Sequence, residues 1–175
     1  MILRMDDRGV SLTAWEDLAR TLGGSFVARA RGAVTPELVL LTANGEPFGR
    51  LTAGEAGKTH LQAGDLTAWI EPRADATYRM TTGDENIMTA EPTDSPVLLM
   101  LRSGDRRYEA RISLLRNRAT AMASAGNQTV RLSGGLTNRR YRATFDPRDP
   151  SSLPIAVFLL HHTVTLRSKA YRTGS

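Results

Sequence analysis

Leu153-Pro154-Ile155-Ala156-Val157-Phe158-Leu159-Leu160 is the most continuously apolar stretch in this 175-residue chain. It follows the loop Asp146-Pro147-Arg148-Asp149-Pro150-Ser151-Ser152 and runs into a polar, basic end. Ser151 or Ser152 can cap a helix, and Pro154 suits a first turn, where its missing N–H would have no helical partner. From Ile155 to Leu160 every residue is apolar, so nearly two turns are apolar on every face. A helix of that kind must be buried all round. The run is far shorter than the roughly 20 residues of a membrane-spanning helix. It therefore reads as a core element, a central helix over about 154–169. The following His162-Thr163-Val164-Thr165-Leu166 alternates and is β-branched, a pattern that equally suits a strand.

What surrounds such a helix is written upstream. From Ser25 to Phe145 short runs of β-prone residues recur at about ten-residue spacing, separated by turn residues. The expected strands are 25–31, 37–43, 47–53, 58–62, 66–71, 76–81, 87–91, 97–102, 107–114, 119–124, 128–133 and 138–145. Asn44-Gly45 is a strong hairpin signal, because both residues tolerate positive φ. Gly64-Asp65, Gly83-Asp84-Glu85-Asn86, Ser103-Gly104-Asp105 and Ala125-Gly126-Asn127 mark further turns. About 12 hairpin-linked strands with no alternating helices argue for an antiparallel barrel or sandwich rather than a parallel α/β sheet. Ahead of them, Leu12, Trp15, Leu18 and Leu22 share one helical face, Ser11 or Thr13 can cap that helix, Thr13-x-x-Glu16 has the form of a capping box, and Gly23-Gly24 ends it. Trp15 reads as core.

The order of elements resembles the tubby C-terminal-like superfamily, which includes tubby domains, phospholipid scramblases and the LURP-one-related proteins. The residues behind the resemblance are the hairpin Glu37 to Leu51, the stretch Asn138-Arg-Arg-Tyr-Arg-Ala-Thr-Phe145 and the apolar segment Leu153 to Leu160. The resemblance implies a mainly β fold. A closed, roughly 12-stranded antiparallel barrel would enclose a hydrophobic C-terminal helix within a single domain spanning 1–175. It also implies binding of an anionic phosphoinositide headgroup through basic residues. The chain departs from scramblases: it has no proline- or cysteine-rich N-terminal region, no spanning segment after the helix, and no acidic cluster suited to calcium.

Charge narrows the functional classes. Residues 1–100 contain 9 Lys/Arg and 14 Asp/Glu, whereas residues 101–175 contain 14 Lys/Arg and 4 Asp/Glu. A basic half of this size points to an anionic partner or to a solvated basic face. Asn138-Arg139-Arg140-Tyr141-Arg142 is the central constellation. In a strand, Tyr141, Ala143 and Phe145 face one side while Arg140, Arg142 and Thr144 face the other. Two guanidiniums about 7 Å apart can share or flank phosphates. Arg131 on the preceding strand, with Arg116 and Arg118 before it, completes the candidate anion- or lipid-binding set of Arg116, Arg118, Arg131, Arg139, Arg140 and Arg142.

Other chemistries find little support. No cysteine is present, which excludes disulfides and thiolate metal sites and suits a reducing cytoplasm. The first residues lack a secretory pattern. The adjacent His161 and His162 diverge by about 100° on a helix and do not chelate one metal well. Gly83-Asp84-Glu85-Asn86 lacks the alternating oxygen ligands of a calcium loop. Nucleophile elbows, phosphate loops and dinucleotide fingerprints are absent, and the acidic residues are scattered over turns. The expectation is a cytoplasmic, non-enzymatic protein without metal or cofactor, whose partner is an anionic lipid headgroup or membrane surface. A structural or protein-interaction module with an incidental basic face is the alternative. Nucleic acid is the rival anion, but Tyr141 faces inward and aromatics make up only 6% of the chain, which argues against base stacking.

Overall fold

The computed structural model describes residues 7–32 and 37–173. Helix α1 (Asp7–Leu22) is followed by β1 (Ser25–Arg31), β2 (Glu37–Leu41), β3 (Pro47–Ala53), β4 (Thr59–Ala63), β5 (Leu66–Pro72) and β6 (Tyr78–Thr82). Then come β7 (Glu85–Pro92), β8 (Leu98–Ser103), β9 (Arg106–Ser113), β10 (Arg118–Ala123), β11 (Gln128–Gly134), β12 (Arg140–Phe145) and helix α2 (Ser152–Thr173). Each strand pairs antiparallel with its sequence neighbour, and β1 pairs with β12 to close the barrel. The closing register sets Phe26 opposite Ala143 and Arg29 opposite Arg140. Closure leaves no free sheet edge among the described strands.

Twelve strands enclose more space than wall side chains can fill, since eight already make an interior just wide enough for packing. Two features of the chain resolve this. The inward positions of the wall include Ala28, Ala68, Ala90, Ala110, Ala119, Ala121 and Ala143, all essentially inaccessible. The space they leave is occupied by α2, whose residues from Leu153 to Leu160 are each no more than 2% exposed, Pro154 also being buried. The all-round apolar segment is thus the axis of the barrel.

The helix enters at one end, here called the bottom, through a clamp centred on Asp149. Its carboxylate accepts from Arg106 Nη1 (3.0 Å), from the Tyr108 hydroxyl (2.8 Å) and from the Ser151 N–H (2.9 Å). Ser152 donates its hydroxyl to the Asp146 and Asp149 carbonyls (2.5 and 2.8 Å), and Ser151 donates to Ser103 Oγ (2.9 Å). Helix α1 closes the same end. Trp15 is fully buried and its indole N–H donates to Thr82 Oγ1 at 3.0 Å.

Several boundaries differ from the sequence expectation. Helix α1 begins at Asp7, so Ser11 and Thr13 lie within it and do not cap it. Helix α2 covers Ser152–Thr173, wider than 154–169, and the alternating His162–Leu166 segment is helical. At the barrel axis every wall hydrogen bond is already made between strands, and only a helix satisfies its own backbone there. Strand β6 starts at Tyr78 because Ala74–Ala76 forms a tight turn with Asp75 and Ala76 at positive φ. Strand β7 already starts at Glu85, leaving Gly83-Asp84 as a two-residue turn. Strand β12 starts at Arg140, two residues later than expected, because Asn138 and Arg139 are engaged elsewhere. Asn138 donates to the α2 groups Val164 O and Ser168 Oγ, both at 3.0 Å, and Arg139 donates to Ala30 O and Gly32 O at 3.1 and 3.2 Å.

Candidate functional site

Strand alternation places the basic residues. In β12, Tyr141, Ala143 and Phe145 are buried and Arg140, Arg142 and Thr144 are exposed. The barrel wall turns the second set to solvent, and the neighbouring strands extend it. Arg118 and Arg142 flank Ser133 in one row, Arg131 lies between Thr120 and Thr144 in the next, and Arg140 is directly opposite Arg29. Arg118 and Arg142 are therefore two strand spacings apart, about 10 Å at the backbone. None of Arg29, Arg118, Arg131, Arg140 and Arg142 makes an ion pair with a described residue. For the four on β10–β12 the reason lies in the composition of their segment, which has no Asp or Glu between Glu109 and Asp146.

The remaining candidates are placed differently. Arg139 is committed to the two backbone carbonyls before the β1–β2 connection and serves to close the barrel. Arg116 stands apart from the strand face, in the β9–β10 turn at the top of the barrel, where α2 emerges.

That top rim holds a groove of about 550 Å³ that the sequence did not reveal. It is bounded by the β9–β10 turn, the β11–β12 connection and the last turns of α2. Its floor is Arg167, only 7% exposed. This guanidinium has no carboxylate partner among the described residues. It donates to the carbonyls of Leu114 and Leu136 (3.2 Å to the latter) and to the Tyr171 hydroxyl (2.7 Å), and it lies 5.4 Å from the Tyr171 ring centre. Beside it, Asn117 adopts the left-handed conformation (φ 48°) with its amide buried and donating to Gly135 O at 2.8 Å. Arg167 Nε and Asn117 Oδ1 are buried without a hydrogen-bond partner among the described residues. Gly134 makes room for this arrangement, since a Cβ there would meet Asn117 Nδ2 at 2.0 Å and the Tyr141 ring at 2.7 Å. Tyr141 donates to Asn138 Oδ1, and burial raises its pKa above the ordinary phenol value. Arg167 lies in Thr165-Leu166-Arg167-Ser168-Lys169, which carries no motif, and only the fold brings three segments to it.

His161 and His162 gather around Tyr78, whereas His60 on β4 stacks on Trp69. His162 stacks on Phe158 (ring centres 5.5 Å apart, 17° between planes) and meets Tyr78 edge-on at 5.3 Å. Burial lowers the pKa of both His161 and His162 to about 4, with the charge of His162 adding to the effect at His161 and that of Lys169 at His162. They are neutral packing groups at ordinary pH. Among the described residues no three His, Asp or Glu side chains converge as a metal site would require. None of the described helices is long and apolar enough to cross a membrane.

This barrel is similar to a solved plant structure. The match is the X-ray structure of a protein from Arabidopsis thaliana, with a TM-score of 0.55 and 14% sequence identity, covering 78% of this chain and 90% of the other. At that identity the likeness concerns the fold. No protein-family model matches the chain, and no curated protein matches it.

Proposed function

We propose that the protein is a non-enzymatic barrel of the tubby-like type that binds anionic phospholipid headgroups at a membrane surface, on its cytoplasmic side. The observation that carries this reading is the outer face of β10–β12, where Arg118, Arg131, Arg140 and Arg142 are exposed within a 36-residue segment free of carboxylates. Several exposed cations elsewhere have acidic partners: Arg50 pairs with Glu37, Lys58, Arg73 and Arg79 gather on Glu71, and Arg148 pairs with Asp146. Guanidiniums left unpaired on a rigid sheet retain their full donor capacity for phosphate, which they bind bidentately. A row spacing of about 7 Å along a strand and about 5 Å between strands lets several headgroups be contacted at once. The likeness to the plant structure and the central apolar helix support the tubby-like assignment, and a cysteine-free chain suits a reducing compartment.

Sedimentation with phosphatidylcholine vesicles containing an anionic lipid tests the reading. Wild-type protein sediments with anionic vesicles and not with neutral ones, and binding weakens as salt rises. Arg140→Ala with Arg142→Ala removes two exposed side chains without touching the core, and at roughly 1 kcal/mol per basic residue it weakens binding about 30-fold. Equal binding by the double variant would refute the assignment.

A further inference from the structure

The top rim has a second property besides charge. Leu115 and Leu136 stand at the tips of the β9–β10 turn and the β11–β12 connection, 101% and 97% exposed, and Tyr171 beside them is 59% exposed. These are not unrelated surface residues. Arg167 bonds the carbonyls of Leu114 and Leu136 with its two terminal nitrogens, so one buried guanidinium holds both tips within its own span. Gly134 and the left-handed Asn117 fix the backbone between them. Two large apolar side chains held fully in water by a rigid support are costly unless another surface receives them.

The geometry points to this rim as the edge that enters a membrane, with Leu115 and Leu136 inserted at the boundary between headgroups and acyl chains. This inference rests on the lipid-binding reading above and states which end of the barrel meets the bilayer. Charge complementarity commits the occupant. Arg116 adjoins one leucine tip, Lys169 is exposed on the last turns of α2, and Arg118 and Arg140 begin the two strands behind the tips. No Asp or Glu lies in residues 110–145 or 150–175. Apolar tips inside a cationic collar match a lipid surface, where leucines reach about 5–10 Å into the interface while arginines stay level with phosphates. The groove behind the tips, floored by Arg167 and walled by Leu114, Ala170 and Tyr171, is open to the same side. The opposite end is closed by α1 and by the Asp149 clamp, and there Arg106 and Arg148 are paired with Asp149 and Asp146.

The absence of cysteine makes the test direct. Leu115→Cys, Leu136→Cys and, at the opposite end, the exposed Ala125→Cys are each labelled with an environment-sensitive fluorophore. They are mixed with phosphatidylcholine vesicles containing roughly one-third phosphatidylserine, a strongly anionic surface. The labels at 115 and 136 are expected to shift to the blue and to be quenched by nitroxide lipids, while the label at 125 remains as in water. Leu115→Ser with Leu136→Ser is expected to weaken sedimentation of the unlabelled protein about tenfold or more, and to do so at high salt as well, since the lost contribution is apolar. Sedimentation of the wild type with no shift at 115 and 136, with a shift at 125 instead, or with full binding by the serine variant, overturns the insertion edge and leaves headgroup binding standing. Failure of the wild type to sediment overturns both.

Discussion

Lowering the pH from about 7.5 to about 5 should destabilise the barrel through His161 and His162. Their folded pKa values are depressed from 6.5 to about 4, mainly by burial against Phe158 and Tyr78. The unfolded chain therefore binds protons that the folded chain refuses. Stability from these groups is complete above the unfolded value and is lost as pH falls from about 6.5 toward about 4. At pH 5 the difference amounts to about 2 kcal/mol for each histidine acting alone. His162 is only 6% exposed, whereas His161 is half-buried, so about 4 kcal/mol is the upper value for the pair. That is a large part of the 5–15 kcal/mol typical of a domain. The carboxylates with shifted pKa contribute little between pH 7.5 and 5. Asp146 is held below the usual range by the Arg148 N–H and guanidinium, and at Glu71 the upward push of burial is outweighed by the bonds from Arg79 and Lys58, so what these two add is lost only as pH falls through the ordinary carboxylate range and below. Urea unfolding at the two pH values measures the loss. His162→Gln should remove about half of the pH dependence, and His161→Gln with His162→Gln nearly all of it. A wild type equally stable at both pH values, or a double variant with an undiminished drop, would refute the account.

Two further substitutions probe the support of axis and rim. Phe158→Ala removes a ring that is 1% exposed and touches both Tyr78 and His162, and should cost about 3–5 kcal/mol in urea unfolding; a cost below about 1 kcal/mol would mean that α2 is not the packed axis. Gly134→Ala places a methyl group against Asn117 and Tyr141 and should cost roughly 1–3 kcal/mol, with vesicle binding reduced because the Leu115 and Leu136 tips lose their common support; an unchanged urea midpoint would contradict this geometry.

The mirror pattern of buried tyrosines explains how one axis serves two ends. Tyr108 at the bottom reaches Asp149 at the start of α2, and Tyr141 at the top reaches Asn138, which in turn holds Val164 and Ser168 late in α2. Both are essentially inaccessible, and burial raises the pKa of both, so each keeps its proton and donates it. The helix is therefore positioned by hydrogen bonds at its two ends and by apolar contact between them. A rim anchored in this way can present Leu115 and Leu136 without the support of a larger domain.

Much of this was legible in the chain as written. Ile155 to Leu160 lacks a polar face, so it had to be surrounded, and the turn residues between short strands determined what could surround it. The alternation in Arg140-Tyr141-Arg142-Ala143-Thr144-Phe145 determined that arginines face out and aromatics face in, because the side-chain period of a strand is two whatever the strand pairs with. Local pattern could not set the start of α1 or decide helix over strand for His162 to Leu166. The second depends on where the barrel wall already satisfies its own backbone. Tertiary structure alone separated the arginines by role. Arg139 is consumed by the Ala30 and Gly32 carbonyls, Arg118, Arg131, Arg140 and Arg142 share one face without an ion pair among the described residues, and Arg167 is buried beneath two leucine tips. Residues 114, 136 and 167 have no periodic relation along the chain. They meet because closing twelve strands around a helix carries two distant turns to the point where that helix emerges, and periodicity holds no information about contacts made by closure.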